Sequence, residues 1–351
     1  MNPVLALARP DILELQPYQH ARWDPSLERM HANEMPWRAQ GDNTQAGLNR
    51  YPEPQPHALV ERMALLYGVP TANVLVGRGS DEAIDLLVRA FCRAGQDNVV
   101  ITPPTFGFYK VAARIQGAGV IEVPLLPDGF RLDLPAVIEA GRRAKIVFLC
   151  SPNNPTGNLL DEAALLAACR ELADRALVCV DEAYIEFAGR PSLAARLAEF
   201  PNLVVLRTLS KAYALAGARL GTLIACTDVV SLLKRIIPPY AIPASTIEEV
   251  VALTEVPQRA MAAARIRTLL AEREKALQRL SAMTTVVRVH PSDANFLLVE
   301  FRDARGALEA GKDVGLLIRD FSSAPGLANC LRVSIGTPEQ NERLLAALER
   351  L

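Results

Sequence analysis

The chain has 351 residues, of which 50% are hydrophobic and 22% charged, and its formal net charge is −1. This length exceeds what one hydrophobic core usually supports, so we expect a large domain and a smaller one. The near-neutral charge disfavours a nucleic-acid partner, which would require a strongly basic patch or tail. The N-terminus lacks a basic segment followed by a long apolar core, and no apolar run reaches 18 residues. We therefore expect a cytoplasmic protein that does not bind a membrane.

The cysteines and histidines give no sign of a metal site. The six cysteines are scattered through apolar segments without C-x-x-C spacing, which favours buried free thiols over disulfides or zinc. The histidines show no metal-ligand spacing either, so ordinary surface or core positions are expected for them. They are His20, His31, His57 and His290.

The segment from about 70 to 226 alternates short apolar runs with helical patterns. This alternation predicts an α/β fold with a mostly parallel sheet wrapped by helices. Several runs are continuously apolar, as strands covered on both faces are. A helix is expected to begin at Ser80, with others near 161–173 and 228–236. The predicted strands are 73–76, 98–102, 120–123, 145–150, 176–180, 203–208 and 220–225.

The pattern changes after Pro238 to a long helix, roughly 247–280 with an interruption at Pro257, and then to strands at 286–289 and 296–301. A last helix follows, for which Thr337 is the expected N-cap and Pro338 the first residue. We assign this part to a smaller α+β domain. The predicted division is an N-terminal arm that forms part of the small domain (1–45), a large domain (46–243) and a small C-terminal domain (244–351).

A glycine-rich turn, GRGSDE at 77–82, lies between a predicted strand and a predicted helix. Glycines let the backbone turn sharply, and the free N–H groups at a helix start can hold a phosphate. A plain strand-to-helix turn is the alternative, because the motif is neither G-x-G-x-x-G nor a Walker loop.

Two further motifs directly follow predicted strands, where ligands of parallel sheets bind. The asparagines of SPNNPTG at 151–157 could donate to a phenolate-like oxygen, or the segment could be a proline-rich turn. In DEAY at 181–184, Asp181 could keep a pyridine nitrogen protonated and so make the ring an electron sink. A helix cap is the simpler alternative for a lone aspartate.

Lys211 is the most informative residue of the chain. A lone lysine is usually a solvated surface charge. Lys211, however, has Thr208, Ser210 and Arg219 near the ends of neighbouring predicted strands. Together with the motifs above, these residues supply the amine, hydroxyl, guanidinium and carboxylate that binding of pyridoxal phosphate would need. The whole set is harder to attribute to chance than any one of these groups.

These motifs resemble those of the fold-type I pyridoxal-phosphate-dependent aminotransferases. The resemblance implies a mostly parallel central sheet wrapped by helices, a smaller α+β domain and pyridoxal 5′-phosphate as cofactor. The flanking motifs are most similar to those of members that act on histidinol phosphate. The matching segments are 15–18, 32–34, 49–52, 79–82, 103–107, 151–157, 181–187, 207–219 and 331–337.

The resemblance also assigns roles around the cofactor. Lys211 would be linked to the cofactor and would move a proton between substrate and cofactor carbons. Asp181 would pair with the ring nitrogen, Asn154 and Tyr184 would bond the ring hydroxyl oxygen, and Phe106 would stack on the ring where many relatives have Tyr. Tyr51 would come from a second subunit, which implies a homodimer with its active site at the interface. The implied phosphate ligands are Gly79, Ser80, Asp81, Thr208, Ser210, Arg219 and this Tyr51.

The implied reaction is transamination between L-histidinol phosphate and 2-oxoglutarate. Arg319 and Arg332 would bind the substrate phosphate or the 2-oxoglutarate carboxylate, alongside Tyr18 and Asn154, because guanidinium groups suit bidentate recognition. Glu34 is a candidate for the imidazole side. The segment 33–37 lacks the Asn-Pro-x-Gly form of many relatives, so its lid contacts are not carried over. An aromatic-amino-acid aminotransferase, an amino-acid-phosphate decarboxylase and a non-catalytic cofactor-binding regulator remain alternatives.

Overall fold

The computed structural model describes residues 3–19, 24 and 26–351. Within these ranges a seven-stranded sheet has the order β1-β7-β6-β5-β4-β2-β3. All the predicted strands of this region are present, with ends that differ by at most one residue from the prediction. They are β1 (Val74–Gly77), β2 (Asn98–Ile101), β3 (Gly119–Glu122), β4 (Ile146–Cys150), β5 (Leu177–Asp181), β6 (Leu203–Thr208) and β7 (Gly221–Ala225).

The direction of the strands decides where polar groups can meet. β3, β2, β4, β5 and β6 pair in parallel, so their carboxyl ends lie at one edge of the sheet. Every residue of β4, β5 and β6 is buried, which explains the continuous apolar runs in the sequence. β7 is antiparallel to both of its neighbours, an orientation that the apolar runs alone did not reveal.

Helices cover this sheet, and a smaller helical set follows it. α3 begins at Ser80, as predicted, ends at Phe91, and buries Ile84, Leu87 and Val88. The others are α1 (Pro10–Glu14), α2 (His57–Tyr67), α4 (Phe108–Gln116), α5 (Leu134–Gly141), α6 (Glu162–Glu171), α7 (Thr227–Leu233), α8 (Ala244–Leu253), α9 (Val256–Ala282), α10 (Ala304–Asp313) and α11 (Pro338–Leu348). None in the described part of the chain is long and apolar enough to span a membrane.

A second, antiparallel sheet forms the C-terminal part, in the order β10-β11-β9-β8. α9, α10 and α11 pack around it in a separate hydrophobic cluster. Thr337 caps α11 through a capping box with Gln340, which confirms the predicted N-cap. The strands are β8 (Val286–Val289), β9 (Phe296–Phe301), β10 (Arg319–Asp320) and β11 (Cys330–Ser334).

Some of the described helices were not predicted, namely α1, α2, α4, α5 and α10. α1, α4 and α5 are short, and their apolar residues are compatible with either core or loop. α2 follows a proline-rich segment and ends at Gly68, whose φ of +68° is the left-handed conformation typical of a helix C-terminus. The six cysteines form no disulfide among the described residues, and all except Cys226 are buried.

Gly221 provides a test of how tightly the fold closes around the start of α3. A Cβ at this position would lie 2.2 Å from the carbonyl carbon of Gly79 and 2.3 Å from the nitrogen of Ser80, so the backbone would have to move. Gly221→Ala should therefore destabilise the fold by about 1–3 kcal/mol. Gly217→Ala is the matched control, because a Cβ there would have no neighbouring atom within 4 Å. The urea midpoint of unfolding should fall only for the first variant; equal midpoints would contradict the packing described.

Candidate active site

A cavity of about 680 Å³ opens at the carboxyl ends of β4, β5 and β6, with walls from both sheets. This volume is in the range of sites for cofactors and small substrates. Most of the residues predicted from the sequence line it. They are Gly79, Ser80, Asp81, Phe106, Asn154, Asp181, Tyr184, Thr208, Ser210, Lys211, Arg219, Arg319 and Arg332.

One side of the cavity is formed by the start of α3 and the connection between β6 and β7. Gly79 has a φ of +87°, which favours glycine, and it precedes the free N–H groups of the first turn of α3. Arg219 reaches this turn, with Nη2 3.4 Å from Asp81 Oδ2. The hydroxyls of Thr208 and Ser210 lie 3.0 Å apart. N–H groups, hydroxyls and a guanidinium together can bind a phosphate.

Asp181 is the last residue of β5, and only 3% of it is exposed. Its Oδ2 accepts a hydrogen bond of 2.7 Å from the Tyr109 hydroxyl, and its Oδ1 accepts one of 3.1 Å from the Ala183 N–H. Burial raises the pKa of Asp181, while these hydrogen bonds and the Lys211 charge act in the opposite direction. A cationic ring nitrogen placed against the carboxylate would further favour its ionised form.

Asn154 is held from the other sheet. The Nη1 of Arg332 donates to Asn154 Oδ1 over 2.5 Å, which leaves the amide nitrogen of Asn154 as the group able to donate to a ligand. The guanidinium of Arg332 also lies over the rings of Phe296 and Phe321, at 5.2 and 5.4 Å from their centroids. A cation held by two aromatic faces and an amide has a fixed orientation.

Lys211 extends into the open cavity from the connection between β6 and β7. Its Nζ is 5.7 Å from the centroid of the Tyr184 ring. Desolvation by the surrounding protein, together with the Arg332 charge, lowers the pKa of Lys211 below the ordinary lysine value. Burial raises the pKa of Tyr184, which therefore keeps its proton and can donate a hydrogen bond.

Tyr109 is a site residue that the sequence analysis missed. It lies in α4, is completely buried, and its hydroxyl is bonded to Asp181, 72 residues further along the chain. The available signal was its spacing from Phe106, since residues three apart can lie on one face of a helical turn. The two rings are in fact in edge contact, with centroids 5.5 Å apart.

Three predicted residues do not line this cavity: Tyr18, Glu34 and Tyr51. Tyr18 lies 70% exposed at a separate cleft beside Pro238. The ring of Tyr51 is half exposed and stacks on Tyr240, with centroids 4.7 Å apart. The roles of these three residues stay predictions. His20 lies outside the described residues.

Glu34 has a structural environment that its sequence did not indicate. Its side chain is only 3% exposed and forms ion pairs with Arg29 at 3.2 Å and Arg50 at 3.0 Å. The carboxylate also accepts a hydrogen bond of 2.7 Å from the backbone N–H of Tyr51. Glu34 therefore fixes the local conformation of the segment that carries Tyr51.

The donor set of the cavity fits a phosphorylated aromatic aldehyde. An amine (Lys211), a buried carboxylate (Asp181), an amide (Asn154) and the phosphate cradle, which is the start of α3 with Thr208, Ser210 and Arg219, line one space. The Nε of Arg332 is buried without a hydrogen-bond partner among the described residues. In the same part of the chain no cluster of His, Cys, Asp or Glu is suited to a metal ion. The fold and these donors define the fold-type I class of pyridoxal-phosphate-dependent transferases.

The sequence model of the aminotransferase class I and II family matches residues 28–348, and the chain belongs to this family. It is 48% identical to a histidinol-phosphate aminotransferase of Stenotrophomonas maltophilia, over 99% of this chain and 97% of that protein. The crystal structure of a histidinol-phosphate aminotransferase of Sinorhizobium meliloti in complex with pyridoxal-5′-phosphate is similar, with a TM-score of 0.78, 27% identity, and coverage of 86% of this chain and 82% of that one.

A decarboxylase also shares the fold. The crystal structure of L-threonine-O-3-phosphate decarboxylase from Porphyromonas gingivalis matches with a TM-score of 0.72 and 26% identity, over 86% of this chain and 93% of that one. These comparisons confirm the predicted fold class and the predicted family. They do not test the individual site residues.

Replacing Glu34 tests its structural role. Glu34→Gln should weaken both ion pairs and favour local opening of the segment 26–51, because partly buried guanidinium groups lose their charged partner. Lowering the free energy of local opening by about 1.4 kcal/mol should accelerate trypsin cleavage after Arg29, Arg38 and Arg50 about tenfold. Glu28→Gln is the control, since Glu28 is an exposed carboxylate of the same segment. Unchanged cleavage in Glu34→Gln would show that the cluster does not hold this segment.

The lowered pKa of Lys211 gives a pH prediction. Only the uncharged amine attacks an aldehyde, so the rate at which the apoprotein takes up pyridoxal phosphate should rise with pH. The midpoint of this pH dependence reports the pKa of Lys211 and should lie below the ordinary lysine pKa. Arg332→Gln removes a positive charge that lowers this pKa, so the midpoint should move to higher pH.

The control for this experiment is Arg319→Gln, which removes a guanidinium that lines the same cavity but is not among the main causes of the Lys211 shift. Its midpoint should stay close to that of the unmodified protein. A shift of equal size in both variants would argue against the specific effect of Arg332.

Proposed function

We propose that this chain catalyses transamination between L-histidinol phosphate and 2-oxoglutarate, giving imidazole-acetol phosphate and glutamate, as a step of histidine biosynthesis. The similar proteins named for this activity cover nearly its whole length. The structural observation that supports the proposal is that Lys211 and Asp181 share one cavity with the first turn of α3.

Pyridoxal 5′-phosphate is the proposed cofactor, and when bound it supplies an electron sink for the charge that forms on the substrate carbon. Asp181 favours the protonated ring nitrogen, and Asn154 and Tyr184 donate to the ring oxygen. Phe106 offers its face to the ring. Lys211 would anchor the cofactor and would then take a proton from the substrate carbon and deliver it to the cofactor C4′.

The phosphate of the cofactor is assigned to the first side of the cavity. The N–H groups of Ser80 and Asp81 line this side at the start of α3, and Gly79, whose own N–H bonds the Gly77 carbonyl, forms the turn beside them. The hydroxyls and the guanidinium of the β6–β7 connection complete the set, and they belong to Thr208, Ser210 and Arg219.

The charge of the cavity suits phosphorylated and dicarboxylate substrates. Its lining has four cationic side chains, Lys211, Arg219, Arg319 and Arg332, against two carboxylates, Asp81 and Asp181. Arg319 and Arg332 are direct partners across β10 and β11, so their guanidiniums approach the substrate from the same strand pair. We assign them to the substrate phosphate and to the carboxylate of 2-oxoglutarate, which guanidinium groups bind bidentately.

The proposal includes a homodimer in the cytoplasm, with the active site at the interface. The segment 27–51 exposes many large apolar side chains, a composition typical of a surface that another chain covers. Tyr51 would reach the partner's cofactor phosphate from this segment, and Tyr18 and Glu34 would contribute there to substrate binding. The division at 45 and 243 is retained as the proposed domain organisation. The exposed residues are Leu27, Met30, Met35, Trp37, Leu48 and Tyr51.

The assigned role of Lys211 predicts the effect of its removal. Lys211→Ala should retain part of its cofactor affinity through the phosphate cradle, but lose transamination by at least ~10³-fold, since it lacks both the anchor and the proton-transfer group. Lys110→Ala is the control, because Lys110 only forms an exposed ion pair with Glu122. Near-normal turnover in Lys211→Ala would refute the role proposed for this residue.

The substrate assignment is tested by following the pyridoxal-to-pyridoxamine absorbance change. Glutamate should produce the change, and imidazole-acetol phosphate should then restore the original spectrum. Preferential recovery with phenylpyruvate would instead identify an aromatic-amino-acid aminotransferase. Release of carbon dioxide from an amino-acid phosphate would identify a decarboxylase, and no spectral change with any amino donor would favour a non-catalytic cofactor-binding regulator. Recovery with 2-oxoglutarate is the internal control for the glutamate half-reaction.

A further inference from the structure

Tyr109 contacts two residues that line the cavity from different segments of the chain, Asp181 and Phe106. Its hydroxyl donates to Asp181 Oδ2 over 2.7 Å, and its ring edge meets the ring of Phe106 at a centroid distance of 5.5 Å and an interplanar angle of 85°. On its other side it stacks on Phe148, at 4.8 Å and 3°. The hydroxyl is thereby directed at Asp181 and lies beside Cys150.

We infer that Tyr109 is a positioning residue, which holds the Asp181 carboxylate in its ionised, cofactor-facing orientation. This inference rests on the proposed function, because it takes the cofactor ring nitrogen as the third partner of the carboxylate. Tyr109 does not line the cavity, so its hydroxyl would act on the cofactor through Asp181.

Ionising a carboxylate that is only 3% exposed costs free energy. Such a group binds a proton unless hydrogen bonds favour its charged form. The Ala183 N–H bonds Oδ1, and among the described residues only the Tyr109 hydroxyl donates to Oδ2. Without that hydroxyl, half of the carboxylate would face an apolar environment.

Other ionisable groups near Asp181 do not replace this donor. Asp81 from α3 adds negative charge and so raises the pKa of Asp181, whereas Lys211 from the β6–β7 connection lowers it. Burial raises the pKa values of Cys150 on β4, Cys179 on β5 and Tyr184, so all three stay protonated. Burial and the neighbouring carboxylate also raise the pKa of Tyr109 itself, which keeps the shared proton on the phenol.

The aromatic contacts separate this role from simple packing. A phenylalanine at position 109 would keep the stacking on Phe148 and the edge contact with Phe106, and would lose only the hydroxyl. A residue that serves solely as core would therefore tolerate Tyr109→Phe without any effect on the ionisation of Asp181.

The test is the pH dependence of the dissociation constant of pyridoxal phosphate with the apoprotein. Ionised Asp181 is needed for tight binding, so affinity falls as pH drops through the pKa of this carboxyl. Tyr109→Phe removes a stabilising donor, which raises that pKa, and the acid-side midpoint should move up by about one to two pH units. Tyr67→Phe is the control, since Tyr67 is a partly buried tyrosine outside the cavity lining, and its hydroxyl is buried.

Two further variants keep the inference falsifiable. In an Asp181→Asn background the acid-side fall in affinity should be absent, and Tyr109→Phe should leave the pH profile unchanged, because the titrating group has gone. Replacement of Tyr109 by 3-fluorotyrosine, a more acidic phenol of nearly the same shape, should move the midpoint to lower pH, which tests the donor even if Tyr109→Phe folds poorly.

The outcomes are distinguishable from failure of the proposed function. If the unmodified protein binds no pyridoxal phosphate, the proposed function is wrong. Suppose instead that the unmodified protein binds the cofactor, and that folded Tyr109→Phe or the 3-fluorotyrosine protein has the same pH profile as the unmodified protein. The inference about Tyr109 is then overturned, while the proposed function stands.

Discussion

The buried carboxylate of Asp181 is the constraint on which the rest of the site depends. A negative charge at the end of a fully buried strand is costly unless donors surround it. The chain supplies two, the Ala183 N–H and the Tyr109 hydroxyl, and leaves the cavity side open. Under the proposed function a cationic ring nitrogen would lie against this open side, so the burial that makes the negative charge costly would also favour the proposed cofactor.

The topology explains how the remaining groups reach that carboxylate. Parallel pairing places the ends of β4, β5 and β6 side by side, and a single connection from β6 to β7 carries both Lys211 and Arg219. Because β7 runs antiparallel, Gly221 returns directly beneath the turn before α3, where a larger residue would not fit. The phosphate cradle and the lysine are therefore positioned by the same strand pair.

Much of this arrangement was readable from the sequence, because each motif follows an apolar run that becomes a parallel strand. What could not be read were partners distant along the chain. The Tyr109 hydroxyl bonds a residue 72 positions away, and Arg332 bonds Asn154 at a separation of 178. No local sequence pattern indicates either of these two hydrogen bonds. Glu34 shows the same limit, since its sequence suggested a ligand contact and its surroundings in this chain are two arginines and a backbone N–H.

The Glu34 cluster bears on how a dimeric site would form. Tyr51 is held by a backbone hydrogen bond to Glu34 and by stacking on Tyr240, yet its ring remains half exposed and outside the cavity of its own chain. Under the proposed assembly, the segment is already ordered before a partner arrives, so association does not have to supply the entropy of ordering it. Preorganisation of this kind favours a tight interface, so under the proposal the ion pairs of Glu34 would support the dimeric site in addition to the substrate contact assigned to this residue.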